Sequence, residues 1–553
     1  DGIANSAYDW VVESENAYER DVFALVYETS AIMDLSFLER MGASMEPLNA
    51  RNEAALRSTM VQVFERPDSI NILLSYRKNA FTNERIAAFG DEITLYADLL
   101  VDVKDPTSVK VADLLRLTAT RDEEARALMN VETHKNRFFD PVFYIANEKH
   151  PFVMSAYFTL LDDIDGEALT KAVEELRERF PYFYVRVKAI EQELRAIANP
   201  LPVCVVAGWE SPVIGSKENN YHLLTVRYEG RRLCVEVSHC LTDGAGIMPY
   251  LKALLYLYLT KATGARLNPA GLRLPGTDFV EGELGCPFPM DRVSKVQKPR
   301  LVKKPVDFYR LEEGPVPMDG HKKLFFVQIS GEDMLRYCRA HDGSPNAVLA
   351  VLMAKAIRDV DAAMDRDITI GVATDPKALL GNYENYHFAS DTIGLDFPAS
   401  RSLDDMSKSC TIARGQIIAQ TLEDNVLYGV KQRKGIFDNL GLLKLVEQKI
   451  DMLKDLQSNI VASAMVSYTG NRTLGDMDAY IDEFYCVTDA AGTEILLENN
   501  YLNGTFYLAI IQSFSSDAYV RALLAQLEKE GIGATLTSEE DSWTASTRFE
   551  DAI

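Results

Sequence analysis

Residues 235–251 read VEVSHCLTDGAGIMPYL, and the role of their one histidine decides how the rest of the chain is understood. Leu233, Val235 and Val237 alternate along "LCVEVSH", the period of a strand with one apolar face. His239 continues that face, so its imidazole points inward. Thr242-Asp243-Gly244 is a turn and helix-start signal, which predicts that His239 stands at a strand end just before a helix amino terminus. A helix start favours a neutral imidazole and stabilises developing negative charge nearby. Two readings follow for His239: a hydrogen-bonded core histidine, or a general base. Asp243 also has two, orienting the imidazole as a relay or forming a structural ion pair; Arg186, embedded in apolar "FPYFYVRVK", needs an anion and is the favoured partner. Gly244 is expected to relieve crowding where the chain turns into the helix.

Working outward, "FVMSAYFTL" reads as a strand and "DGEALTKAVEELRERF" as an amphipathic helix with Leu169, Ala172, Val173 and Leu176 on one face. A hairpin turns at Glu229-Gly230, and Pro249 fits only the first turn of the Leu/Tyr-rich helix that follows the motif. Residues 263–322 are rich in proline and glycine and read as a crossover linker. Beyond it, "SPNAVLAVLMAKAIRDV" is a helix capped by Ser344 with Pro345 at its first position. "DITIGVATD" and "DTIGLDF" read as strands.

The chain of 553 residues exceeds one core and predicts three or four packing units. A formal charge of −24 argues against nucleic acid, whose recognition needs clustered Lys and Arg. No stretch is apolar enough for a membrane span, and no basic-then-apolar leader opens the chain, which starts on Asp1 as an excised piece would. Seven scattered cysteines without a C-x-x-C pair signal neither a metal site nor a disulfide framework and fit a cytoplasmic location.

"SHCLTDG" (238–244) resembles the H-x-x-x-D-G motif of the chloramphenicol acetyltransferase-like superfamily, which includes condensation domains, polyketide-associated acyltransferases and alcohol O-acyltransferases. The likeness extends to "SAYFTLLDDIDGEALTKAVEELRERFPYFYVRV", similar to the family's opening strand and helix. "HCLTDGAGIMPYLKALLYLYL" is similar to bacterial alcohol acetyltransferases. The resemblance implies an α/β fold of two-layer sandwiches, with two lobes forming a V around a central channel. It implies His239 as the base that deprotonates an alcohol or amine attacking an acyl thioester. Acyl-CoA or a phosphopantetheine-borne acyl group would be the donor substrate, the latter on a carrier protein. No permanently bound cofactor or metal is implied. Condensation-domain chemistry, or a non-catalytic docking domain of the same fold, is the alternative.

Ser238 stands where condensation domains carry a second histidine, which tilts toward O-acyl transfer. The family's D-F-G-W-G motif is missing, and "MVSYTGN" (465–471) is taken as its equivalent, making Ser467 and Thr469 candidates for the channel wall or for donors to an oxyanion. Asn385 in "GNYENYHF" is a further channel candidate, and His387 beside it reads as packing or surface. The local basic run Lys295, Lys298, Arg300, Lys303 and Lys304 is read as solvated or as meeting a CoA phosphate. Four segments are expected: an α/β extension over 1–137, lobe 1 over 138–262, the linker over 263–322, and lobe 2 with its tail over 323–553. The plan strand, turn, helix recurs at 69–100 and 505–532. "INILLSYRKNAFTNERIAAF" resembles the closing strand and helix of condensation domains. Two readings therefore stand for the extension: the tail of a preceding similar domain, which is favoured, or an unrelated accessory domain.

Overall fold

The structure, a computed structural model, describes residues 140–146, 150–190, 193–300, 303, 307–311, 322–453, 460–471, 473–489, 492–543 and 545–549, together with four strands nearer the amino terminus. The chain forms two compact units, Asp1–Lys110 and Val111–Ile553. The first holds β1 (Val11–Ser14), β2 (Phe23–Thr29), β3 (Thr59–Arg66) and β4 (Ser69–Arg77) in the order β1-β4-β3-β2. The first strand of the repeat proposed from sequence is therefore present as β4, while its helix over 78–100 lies outside the described residues. The boundary expected at 137 falls inside the second unit.

In the second unit, β5 (Val153–Leu160) leads into helix α1 (Gly166–Leu176). Asp165 caps α1 by accepting the amides of Glu167 and Ala168, a contribution of about 1 kcal/mol. The predicted stripe of Leu169, Ala172, Val173 and Leu176 is the buried one, each Leu or Val adding about 1.5–3 kcal/mol of burial. Next come a two-stranded ribbon of β6 (Val185–Ile190) and β7 (Glu193–Ala198), then β8 (Val205–Ala207), β9 (Leu224–Glu229) and β10 (Arg232–Ser238). Gly230 makes the predicted hairpin turn with φ of 56°, a conformation glycine reaches without strain. Helix α2 (Met248–Thr263) follows with Pro249 in its first turn.

The second sheet takes β11 (Lys322–Ser330), β12 (Ile368–Thr374), β13 (Asp391–Phe397), β14 (Ala464–Asn471), β16 (Ile495–Leu502), β17 (Thr505–Gln512) and β18 (Ala534–Trp543) in the order β13-β12-β14-β16-β17-β11-β18. Its core helix, α3 (Pro345–Val360), starts at the predicted Ser344 cap and buries every residue from Ala347 to Ile357. The short helix α4 (Pro376–Leu379) leaves the end of β12. A last strand, β15 (Ile481–Thr488), leaves this half of the chain and pairs antiparallel with β5, giving a first sheet in the order β15-β5-β10-β9-β8. The two sheets are therefore interleaved along the sequence.

The proline-rich crossover is ordered where it is described. Glu283, 1% exposed, takes a bidentate pair from Arg179 at 2.9 and 3.0 Å, a third contact from Arg273 at 3.0 Å, and the Tyr386 hydroxyl at 3.0 Å. A carboxylate so deep is tolerable only with its lone pairs fully engaged. This cluster ties α1's carboxyl end, the crossover and the segment 382–389 together.

Candidate functional site

The strand β10 ends at Ser238, and the backbone N–H of His239 donates to the Phe152 carbonyl at 2.7 Å. His239 is 9% exposed. Its Nδ1 lies 2.7 Å from the Thr242 carbonyl oxygen. A carbonyl only accepts, so Nδ1 carries the proton and Nε2 keeps the lone pair. Phe152 stacks on the ring at a centroid distance of 4.9 Å and 31° tilt, and Phe388 meets it edge-on at 4.9 Å and 80°. Burial pushes the imidazole below its ordinary pKa; the Thr242 carbonyl and Asp243 oppose that shift, and the Lys377 charge adds to it. The group is neutral at neutral pH.

The Thr242-Asp243-Gly244 signal closes a turn, with Asp243 Oδ1 accepting the Gly246 amide, and the helix follows it with Pro249 in its first turn. Helix α2 begins at Met248 without a side-chain cap, five residues past Asp243. Asp243 is committed elsewhere: Lys377 Nζ lies 2.6 Å from both of its oxygens, and the backbone amides of Gly246 and Ala389 donate to it at 2.9 and 3.1 Å. Three donors making four contacts on one buried carboxylate leave no relay to the imidazole. Burial opposes its ionisation, but the Lys377 charge and these hydrogen bonds win, and its pKa falls below the usual carboxylate value. The expected partner was Arg186. That residue is buried on β6 with its guanidinium over the Tyr221 ring at 5.7 Å, and the cation at Asp243 is Lys377 of α4.

Gly244 faces the second sheet. A Cβ there would lie 3.3 Å from the Thr469 methyl on β14, so the motif loop and β14 touch. Ser467, two residues earlier on β14, is buried, and the strand's register shifts between Tyr468 and Asn471. The severe crowding falls instead at Gly246, where a Cβ would lie 2.3 Å from the Tyr386 carbonyl oxygen and 2.5 Å from Thr242 Oγ1. Beside Gly244, the side chains of Met154, Val237, Met248 and Cys486 line an apolar cleft of about 10 Å³, room for about one water.

The structure brings the motif loop of His239, Asp243 and Gly244 against Thr469, with Ser467 two residues earlier on the same strand; it does not bring Arg186, Ser238 or Asn385 to them. Ser238 is fully buried on the face of β10 that carries Glu236, opposite Val237. Asn385, also fully buried, donates to the Gly282 and Gly285 carbonyls at 2.7 and 2.6 Å, pinning the crossover. His387 packs inward: Nε2 lies 3.0 Å from the Leu284 carbonyl, Nδ1 lies 3.0 Å from the Tyr182 hydroxyl, and burial lowers its pKa to about 4. Of the basic run, Lys303 pairs with Asp396 at 2.9 Å and lines a separate cavity of about 190 Å³ with Thr374, Asp391, Asn425 and Tyr428; Lys304 lies outside the described residues. Sequence reading missed Phe152, Phe388, Lys377 and Gly246. Only Gly246, inside the quoted stretch, carried a local signal.

No protein-family model and no curated protein matches the sequence. Solved structures do. The chain is similar in fold to condensation domains and acetyltransferases. The condensation domain from the Monacolin K polyketide synthase MokA matches with a TM-score of 0.43 and 13% identity over 68% of this chain and 92% of that one. Polyketide synthase associated protein 5 from Mycobacterium tuberculosis matches at 0.47 and 14%, over 71% and 96%. F. sporotrichioides TRI101, complexed with coenzyme A and T-2, matches at 0.48 and 12%, over 72% and 98%. Among the described residues no helix is long and apolar enough to cross a membrane, and no cluster of three or more His, Cys, Asp or Glu is placed to hold a metal ion. All seven cysteines are free thiols.

Proposed function

We propose that this chain is an acyltransferase that moves an acyl group from a thioester to an alcohol or amine, with His239 as general base. The observation that carries this reading is the lock on Nδ1. With its proton held by the Thr242 carbonyl, the neutral ring offers a basic Nε2, the form a general base requires. Nε2 takes the proton of the acceptor O–H or N–H as that atom attacks the thioester carbonyl. The tetrahedral oxyanion collapses and expels the thiolate, which recovers the proton from the imidazolium, leaving an ester or amide and a free thiol. Ser467 and Thr469, on the strand that meets the motif loop, are proposed as hydroxyl donors to the oxyanion. Acyl-CoA or a carrier-borne phosphopantetheine thioester is the donor, used as a substrate. The central channel would run between the two sheets, past the motif loop.

The test is incubation with a panel of acyl-CoAs and of alcohols and amines, following thiol release and acylated product by mass spectrometry. His239→Ala and His239→Gln should each lose about 100-fold or more of the transfer rate. A folded His239→Ala protein with full activity would overturn the assignment.

A further inference from the structure

Five described non-glycine residues have positive φ: Phe152, Asn220, Tyr221, Asp342 and Asn503. Asn and Asp tolerate the left-handed region because their short side chains bond locally. A phenylalanine gains nothing there, so φ of 49° at Phe152 must be imposed by its surroundings. Those surroundings are specific. The Phe152 N–H points to Asp489 Oδ2 at 3.5 Å, and Asp489, 2% exposed, forms an ion pair with Lys322 at the start of β11. The Asp489 N–H donates to the Val153 carbonyl at 3.1 Å, and the preceding Pro151 carbonyl accepts the Thr547 hydroxyl at 2.6 Å. The chain is thus fastened on both sides of residue 152.

The left-handed turn aims two groups of one residue at one target. The Phe152 carbonyl accepts the His239 N–H, and the Phe152 ring lies on the His239 ring. Phe388, carried by the segment that also presents the His387 carbonyl to Lys377, closes edge-on against both rings, 5.4 Å from Phe152 and 4.9 Å from His239. An extended residue 152 would lose the ring contact, the carbonyl contact, or both. We propose that Phe152 is a positioning residue for His239: its strained backbone and the Phe388 ring confine the imidazole to the one rotamer that donates Nδ1–H to Thr242 and leaves Nε2 open to a reacting partner. The charged groups around this clamp are Asp243 and Lys377 on the motif side, and Asp489 and Lys322 behind Phe152. The inference rests on the reading of His239 as the base, and its tautomer and modification readouts do not need the acyl substrate.

In the full chain with ¹⁵N-labelled histidine, NMR of the His239 ring should show a single Nδ1–H tautomer in the parent protein. In Phe152→Leu the ring nitrogens should move toward the averaged shifts of a freely exchanging imidazole. His239 should then react with diethyl pyrocarbonate about tenfold faster, since an opened site is modified in proportion to its exposed population. Phe152→Tyr, which keeps the ring, should restore both readouts. Transfer by Phe152→Leu should fall about 10- to 100-fold in kcat with little change in KM, the scale of a misplaced base. If Phe152→Leu does not fold, Phe388→Leu reports on the opposite side of the clamp by the same readouts. A folded Phe152→Leu or Phe388→Leu protein with the parent tautomer and modification rate overturns the inference even if His239→Ala abolishes transfer. Full transfer by His239→Ala alongside a tautomer shift in Phe152→Leu would overturn the functional reading and leave the clamp standing.

Discussion

Lys377 and Asp243 form a closed buried ion pair, the ammonium 2.6 Å from each carboxylate oxygen and 2.7 Å from the His387 carbonyl, with the lysine fully buried. Such a pair is worth little over an apolar replacement of both partners, but breaking it strands a charge. Lys377→Met is therefore expected to lose about 3–5 kcal/mol in urea denaturation, and adding Asp243→Asn to it should recover much of that loss. A loss below about 1 kcal/mol would show that the pair behaves like a surface contact.

The acid limb of the rate profile follows from His239. Burial holds its pKa below the ordinary imidazole value, and the neutral form is the base. kcat/KM should be flat at neutral pH and decline as pH falls through that depressed value. An inflection on the alkaline side of the ordinary imidazole range would contradict the buried, neutral ring.

Gly246 and Gly244 separate by their neighbours. Gly246→Ala forces backbone movement against the Tyr386 carbonyl and should cost about 3 kcal/mol or more. Gly244→Ala meets only a methyl group at 3.3 Å, which can shift, and should cost less than about 1 kcal/mol. Thermal melts of the two variants give the comparison, and equal losses would refute the ranking.

Asp375 caps α4 by accepting the Lys377 and Ala378 amides. Its pKa is raised to about 6, first by burial and then by the neighbouring Asp243 charge. A group whose folded pKa lies above its unfolded value stabilises below the unfolded pKa and loses that contribution as pH rises through the folded one. Asp375→Asn keeps a capping oxygen and mimics the protonated form. Its stability advantage should grow between about pH 4 and 6 and stay level above that, measured by denaturation at each pH. A constant difference across that window would exclude the raised pKa.

What was legible in the chain was local. Ser344 as a cap, Pro249 in a first turn, Gly230 in a hairpin and the stripe of α1 are set by neighbours within a few residues, and each stands where its chemistry placed it. The site divides along the same line. His239 and Gly244 are joined by the motif itself, whereas Thr469 reaches Gly244 from β14 and Asp243's cation stands 134 residues away in a four-residue helix. Arg186 and Lys377 are equivalent as charges in a sequence, and only the packing of α4 against the motif loop selects between them. Phe152 left no trace, since its φ is dictated by Asp489 and His239 rather than by its own preference. The signal at Thr242-Asp243-Gly244 marks a turn, closed by Asp243 accepting the Gly246 amide through its side chain and the Ile247 amide through its carbonyl, and α2 follows it at Met248 with no side-chain cap of its own.

The pairing of β15 with β5 has a consequence for how the protein is made. Leu160 meets Ile481, and Met154 meets Thr488. On a ribosome adding about 5–20 residues per second, β5 would wait on the order of 16–60 s for its neighbour. Through that interval its hydrogen-bonding edge, with Phe158 that later stacks on Phe484 at 4.4 Å, has no native cover. Such an uncovered strand is a template for wrong pairing, and the nascent protein needs either a chaperone or a temporary local partner until β15 emerges.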